Sequence, residues 1–207
     1  MIIQVLNDDF KNDYTRIFAW FKKTNVCDII SLKFYVQVND MKKIIVIGCP
    51  GSGKSTFSKK LHEITGLKLW HLDMLYWNSD KTTVEKSVFY DRLSQVLDES
   101  EWIVDGNYNS TMELRIEKCD TIFFLDYPTD VCIRGIEERK GKVRSDIPFV
   151  ETQDDEEFLK FIENYNHDSR PQVIRLLEKY SDRNIFVFTD RAQADEFLEK
   201  LSAEYKR

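Results

Sequence analysis

Eight consecutive residues have the types and spacing needed to bind phosphate. Gly48-Cys49-Pro50-Gly51-Ser52-Gly53-Lys54-Ser55 fits the pattern G-x-x-x-x-G-K-S/T, between a predicted strand and a predicted helix. Glycines let the backbone N–H groups of such a loop converge on phosphate oxygens, and the following helix adds its positive end. In this interpretation Lys54 reaches the β and γ phosphates of ATP and the Ser55 hydroxyl binds Mg²⁺. The predicted nucleotide contacts are Gly48, Pro50, Gly51, Ser52, Gly53, Lys54, Ser55 and Thr56.

Two carboxylates follow predicted strands and are candidates for the remaining chemistry. Asp73 lies among large aromatic residues, where it can take a proton from an acceptor hydroxyl or hold a magnesium-bound water; the alternative is a turn or cap aspartate. Asp105 follows a buried strand and is the candidate Walker B ligand of Mg²⁺; the alternative is a turn residue in Asp-Gly. Trp77 and Tyr108 are candidates to stack on the acceptor. Because ligands of parallel sheets bind beyond the carboxyl ends of the strands, these groups are expected to meet the Gly48 loop.

A local cluster of basic residues lies downstream, at the end of a predicted helix and in the Gly141 loop. Arginine can donate two hydrogen bonds to phosphate and neutralise the charge that develops during transfer, and a mobile loop can exclude water. The alternative is a solvated helix surface paired with Glu137 and Glu138. The cluster consists of Arg134, Arg139, Lys140, Lys142 and Arg144.

Composition narrows the class of protein. The 207 residues carry 30 Lys and Arg against 36 Asp and Glu, a net charge of -6, whereas a duplex-binding protein usually has a basic excess. DNA is therefore an improbable partner. The four cysteines form no C-x-x-C pair, which favours a reducing, cytoplasmic setting, and no apolar stretch is long enough for a membrane span.

Hydrophobic periodicity from Met41 onward alternates strand and helix, which predicts an α/β domain with a parallel sheet covered on both faces. Thr82-x-x-Glu85 is read as a capping box that opens one of the helices. Residues 1–40 form an N-terminal extension without a chemical motif. Two interpretations stay open for it: a segment that packs on the domain or a partner, or upstream sequence outside the natural product.

Several segments together resemble the DNA topology modulation (FlaR-like) proteins, which look like adenylate-kinase-like P-loop kinases. The resemblance covers about Met41 to the C-terminus. It rests on GCPGSGKST within Ile44 to Thr56, HLDMLYW at His71 to Trp77, VDGNY at Val104 to Tyr108, CDTIFFLDYP at Cys119 to Pro128, and Ser169-Arg170-Pro171.

The resemblance implies a three-layer α/β/α fold, a five-stranded parallel sheet of order 2-3-1-4-5, and a lid after the fourth strand at about 139–153. It also implies triphosphate and metal roles for Lys54 and Ser55, the Walker B role for Asp105, and lid roles for Arg134 and Arg139. Where adenylate kinases have an aromatic-Pro-Arg sequence after the third-strand Asp-Gly, this chain has Asn107-Tyr108-Asn109. That departure argues against AMP as the acceptor.

The leading hypothesis is an ATP- and Mg²⁺-dependent kinase acting on a small molecule, with a nucleoside or nucleotide as one candidate acceptor. Lys54, Asp73, Arg134 and Arg139 are its predicted catalytic residues. The competing hypothesis is a nucleotide-binding regulator that uses ATP as a switch and acts through DNA or a partner protein. The sequence leaves the acceptor and the oligomeric state open.

Overall fold

The computed structural model of the chain describes residues 2–4, 41–151 and 156–205. Within these residues, six strands form one sheet: β1 (Ile2–Gln4), β2 (Lys43–Gly48), β3 (Leu69–His71), β4 (Trp102–Asp105), β5 (Thr121–Leu125) and β6 (Asn184–Phe188). The helices found in the same residues are α1 (Lys54–Thr65), α2 (Leu72–Tyr76), α3 (Lys86–Leu97), α4 (Asn109–Lys118), α5 (Thr129–Arg139), α6 (Glu156–Asp168), α7 (Arg170–Lys179) and α8 (Arg191–Tyr205).

The sheet has the order β1-β6-β5-β2-β4-β3, and every neighbouring pair is parallel. Numbered from β2 onward, this is the predicted five-stranded order 2-3-1-4-5, which is confirmed. The short β1 adds a sixth strand beside β6, with Ile2 opposite Ile185. The rest of the N-terminal extension, residues 5–40, lies outside the described residues, as do 152 and 153 of the predicted lid.

The core is divided by the sheet into two layers, because consecutive strand residues point to opposite faces. Ile44 and Val46 of β2 pack with the first, fifth, sixth and eighth helices. Ile45 and Ile47 pack with the third, fourth and seventh helices on the other face. All four are fully buried, as expected for a central parallel strand covered on both sides. The result is the three-layer α/β/α arrangement that was predicted.

One predicted helix start is wrong. The capping box at Thr82 places the start of α3 too early, because the helix begins at Lys86 with Glu85 at its N-cap position and no side-chain cap. The backbone of Thr82 instead accepts a hydrogen bond from Asn78, and Thr83 forms a bridge with Trp77. These residues close a small hairpin, so they are not available to start a helix.

No helix within the described ranges is long and apolar enough to cross a bilayer. The carboxyl ends of β2, β3, β4 and β5 lie together at one edge of the sheet, where each is followed by a loop or a helix. A cleft of about 1380 Å³ opens above this edge. A typical ligand pocket occupies about 300–1000 Å³, so this cleft has room for two small substrates.

Candidate active site

The phosphate-binding motif lies between β2 and α1, the position that its sequence requires. Gly53 occupies the N-cap of α1 in the left-handed region, with φ 93° and ψ 19°. Gly51 also has a positive φ, 83°, and a Cβ there would lie 2.0 Å from the carbonyl oxygen of Cys132 on α5. No side chain larger than hydrogen fits that contact. The loop is therefore fixed both by backbone conformation and by packing against α5.

Lys54 is folded over this loop. Its Nζ donates hydrogen bonds to the carbonyl oxygens of Gly48, at 3.0 Å, and Cys49, at 2.9 Å. Burial lowers the pKa of Lys54, whereas the nearby carboxylates Asp105 and Asp73 act in the opposite direction. The ammonium is thus held beside the loop by acceptors that a phosphate oxygen can replace.

Asp105 is the last residue of β4 and is only 3% exposed. Its Oδ1 lies 2.8 Å from Nδ1 of His71, the last residue of β3, because the two strand ends are paired in register. Its Oδ2 has no hydrogen-bond partner within the described part of the chain. A buried carboxylate oxygen without a partner fits a role in binding a cation or its water, as the Walker B hypothesis expects.

A bound magnesium ion fits these residues only with help from a substrate. Mg²⁺ prefers hard oxygen ligands and usually takes one or two from the protein, with phosphate and water supplying the rest. Ser55 and Asp105 offer such oxygens. No cluster of three or more His, Cys, Asp or Glu suited to a metal ion occurs in residues 41–151 and 156–205. The donor set therefore suits a metal that arrives with the triphosphate.

Asp73 lies at the start of α2, and Tyr108 immediately before α4. The Tyr108 hydroxyl donates a hydrogen bond of 2.7 Å to Asp73 Oδ1. Burial raises the pKa of Asp73, and the hydrogen bond from Tyr108 opposes that rise. A carboxylate whose pKa is raised by its surroundings is a better proton acceptor than one in water.

Aromatic side chains form the wall beside Asp73. Tyr76 contacts Tyr108 with ring centroids 5.0 Å apart and Trp77 with centroids 5.3 Å apart. Trp77 in turn meets the ring of Phe149 edge-on at 5.7 Å. Trp77 and Phe149 both line the cleft. The ring of Tyr108 also packs on Phe89 of the core, so much of its surface is used within the protein.

The segment after α5 folds back over the phosphate loop. Glu151 accepts a hydrogen bond of 2.8 Å from Arg139 and one of 2.6 Å from Arg144. Arg144 also pairs with Asp146, which is 2% exposed. Hydrogen bonds from Arg144 and from the Ser55 hydroxyl hold the pKa of Asp146 well below its usual range despite its burial. Arg139 and Arg144 are thus held in an ion-pair network that touches the loop.

Most of the predicted site residues border the cleft. Its lining includes Asp73, Trp77, Tyr108, Arg139 and the whole loop from Pro50 to Thr56. Gly48 and Asp105 belong to the strand ends and are not part of the lining. Arg134 is also outside it, because its side chain is 59% exposed and pairs with Asp130 at 2.8 Å along the outer side of α5. The geometry does not bring Arg134 together with the other predicted residues.

Three residues of this region were missed by sequence reasoning. His71 has no metal-ligand partner at a recognisable spacing in the sequence, yet it orients the carboxylate of Asp105. Arg115 is fully buried and donates hydrogen bonds to the carbonyl oxygens of Gly106 and Tyr108, which fixes the segment after β4. For Asp146, the only feature of the sequence that indicates a role is its position close to Arg144. The sequence feature that could have indicated a buried Arg115 is its position between apolar residues of a predicted helix.

Comparison with known proteins gives partial matches. No protein-family model matches the chain. The adenylate kinases of Thermotoga petrophila and Thermotoga maritima are each 29% identical to it over 94 residues, which are 44% of this chain and 42% of each relative. The matched stretch is therefore less than half the length of these relatives.

The solved structures that resemble the chain include shikimate kinase from Acinetobacter baumannii in complex with shikimate. It has a TM-score of 0.52 and 14% sequence identity, and the match covers 81% of this chain and 94% of that one. At this identity the likeness concerns the fold, and it agrees with the parallel sheet described above.

Proposed function

We propose that the protein is an ATP-dependent kinase that transfers the γ-phosphoryl group to a hydroxyl of a small molecule. The observation that carries this proposal is one cleft that joins a phosphate-binding loop to a half-buried carboxylate. Lys54 and the loop lie on one side, and Asp73, with its bond from Tyr108, lies on the other. A nucleotide switch needs the first feature but not the second.

The loop binds the triphosphate in this proposal. Backbone N–H groups between Gly51 and Ser55 contact the phosphate oxygens, and Lys54 exchanges its two carbonyl acceptors for phosphate. Mg²⁺ held by Ser55 and, directly or through water, by Asp105 supplies charge neutralisation when bound. Arg139 and Arg144 leave Glu151 to donate hydrogen bonds to the charge that develops on the transferred group. The local positive charge of an otherwise acidic protein is concentrated here.

Asp73 acts on the acceptor. The acceptor oxygen attacks the γ-phosphorus, a new O–P bond forms, and the bond from that phosphorus to the β–γ bridging oxygen breaks. ADP leaves, and the hydroxyl proton passes to the Asp73 carboxylate. A carboxylate is useful for a hydroxyl acceptor, which must lose a proton. It would repel a phosphate acceptor, which is already an anion at neutral pH.

The proposal is tested by measuring ADP release from Mg-ATP with a panel of sugars, hydroxy acids, nucleosides and nucleotides. We expect one class of acceptor to stimulate release, and Lys54→Ala to abolish it. Lys68→Ala is the matched control, because Lys68 is an exposed lysine that pairs with Glu99 outside the cleft. ATP binding without acceptor-stimulated release would overturn the proposal and support the regulator hypothesis.

A further inference from the structure

The hairpin that joins α2 to α3 contains an unusual backbone conformation. The amide of Asn78 donates to the carbonyl of Thr82 at 2.8 Å, and the amide of Lys81 donates to the carbonyl of Asn78 at 3.1 Å. Lys81 has φ 66° and is the only described residue other than glycine with a positive φ. Glycine or asparagine adopts this conformation at lower cost. A lysine at this position therefore points to a use for its side chain.

The side chain of Lys81 lies at the acceptor side of the cleft. Its Nζ is 5.6 Å from the centroid of the Phe149 ring, and Phe149 contacts Trp77. All three residues line the same cleft as Lys54 and Asp73. A series of contacts runs from Asp73 through Tyr108 and the aromatic wall to this ammonium group. Lys81 is thus placed across an apolar surface from the proposed base.

Most cationic side chains of the cleft already lie within 4.0 Å of a carboxylate. Those in such pairs are Lys59, Lys60, Arg139, Arg144 and Arg191. Lys81 lies that close to no carboxylate of residues 41–151 and 156–205, which is the region the structure describes around it. Its ammonium is available to an anion that enters the cleft beside Trp77.

We propose that Lys81 binds an anionic group of the acceptor, so that the substrate is a hydroxyl compound bearing a carboxylate or a phosphate. The hydroxyl lies at Asp73, the apolar part of the molecule packs on Trp77 and Phe149, and the anion pairs with Lys81. This inference rests on the proposed kinase function and narrows its substrate class. A neutral nucleoside or sugar leaves the ammonium of Lys81 without a partner and is a poor acceptor.

The test uses the full chain with Mg-ATP and acceptors in matched neutral and anionic forms. Suitable pairs are sugar alcohols with the corresponding sugar acids, hydroxy acids with their methyl esters, and nucleosides with their 3′-monophosphates. The pairs that contain a carboxylic acid and the pairs that contain a 3′-monophosphate show separately whether the bound anion is a carboxylate or a phosphate. We expect turnover of an anionic member, with its neutral partner at least tenfold lower in kcat/KM.

Three variants locate the effect at Lys81. Lys81→Met raises the KM for the anionic acceptor at least tenfold, with the KM for ATP within twofold of wild type, and Lys81→Arg retains most of the affinity. Lys81→Asn removes the charge but suits the left-handed backbone, so it raises KM equally while Tm stays the same or rises. Lys86→Met is the matched control, since Lys86 lies 5.7 Å over the ring of Tyr90 outside the cleft.

The outcomes separate this inference from the proposed function. Acceptor turnover with an unchanged KM in Lys81→Met, or a preference for the neutral members, overturns the role of Lys81 and leaves the kinase proposal standing. Calorimetric binding of an anionic member to wild type but not to Lys81→Met, without turnover, supports Lys81 and overturns the kinase. Neither binding nor turnover of any member overturns both.

Discussion

The hydroxyl of Tyr108 donates a hydrogen bond of 2.7 Å to the carboxylate of Asp73, across 35 residues of sequence. Asp73 lies in the helix that follows β3, and Tyr108 lies in the loop that follows the neighbouring strand β4, so the pairing of these strands brings them together. The bond stabilises the charged form of a carboxylate whose burial favours the neutral form. The hydrogen bond from Tyr108 therefore lowers the pKa of Asp73, in opposition to the larger effect of burial.

Tyr108→Phe is expected to shift the acid limb of the pH profile to higher pH. The raised pKa of Asp73 means that activity falls as the pH drops through that pKa. Removal of a hydrogen bond to the charged form raises this pKa further. The measurement is kcat/KM for the acceptor against pH. Tyr90→Phe removes a hydroxyl that bonds to the Ser110 carbonyl instead and should leave the limb unchanged. An unshifted limb in Tyr108→Phe would show that Asp73 is not the titrating base.

His71→Ala is expected to weaken the binding of magnesium and to leave maximal turnover nearly unchanged. The imidazole N–H bonds to Oδ1 of Asp105 and orients a buried carboxylate. Loss of a partner that orients a metal ligand typically costs about 10–100-fold in metal affinity. The half-saturating Mg²⁺ concentration should rise by this factor, with kcat near wild type at high Mg²⁺.

His62→Ala is the control for that experiment, because the His62 imidazole is exposed and bonds to the Leu67 carbonyl, away from Asp105. An unchanged Mg²⁺ requirement in His71→Ala would mean that Asp105 does not act on the metal.

Arg139→Ala is expected to lower kcat about 100-fold, since it removes a donor for the charge that develops on the transferred phosphoryl group. Arg134→Ala should lower it less than threefold, because Arg134 lies outside the cleft. The control is Arg175→Ala, an exposed arginine on α7 that does not line the cleft. Steady-state kinetics at saturating substrates compares the three. Equal losses of kcat in Arg134→Ala and Arg139→Ala would instead support the lid role that the resemblance implies for Arg134.

Arg115→Met is expected to destabilise the fold. Arg115 is fully buried, and burial lowers its pKa to about 10. It donates to the carbonyl oxygens of Gly106 and Tyr108, which methionine would leave unpaired, at a cost of about 3 kcal/mol in the free energy of unfolding. Urea denaturation measures this cost. Arg92→Met, which removes one exposed bond to the Leu75 carbonyl, should cost less than about 1 kcal/mol.

The strands and the phosphate loop could be predicted because their signals are local, whereas the strand order followed only from the resemblance to adenylate-kinase-like proteins. The β-branched run from Ile44 to Ile47 indicates a strand buried on both faces, and the glycines that follow it indicate the loop. The partners of Asp73 and Asp105 could not be predicted in this way. Each of these hydrogen bonds depends on which strands are neighbours in the sheet and on how deeply the side chain is buried.

The orientation of the lid arginines could not be predicted from the sequence either. These arginines were visible as a basic cluster, but whether each faces the cleft depends on the rotation of α5. Arg139 follows Arg134 by five positions, a spacing that places the two side chains on different sides of that helix. The hairpin at Lys81 could not be predicted because Thr82 and Glu85 form a helix-start pattern. The hydrogen bond from Asn78 to Thr82 and the bridge between Trp77 and Thr83 override that pattern.

The most direct test of the account is Asp73→Asn, assayed for acceptor-dependent ADP formation and, in parallel, for Mg-ATP binding. Loss of the base should reduce acceptor-dependent turnover about 1000-fold. The Kd for Mg-ATP should stay within twofold, because the loop from Gly48 to Ser55 is intact. Asp91→Asn, on the exposed side of α3, serves as the control. Wild-type turnover in Asp73→Asn, or ADP formation that never depends on an acceptor, would contradict the proposal that this cleft transfers phosphate to a hydroxyl.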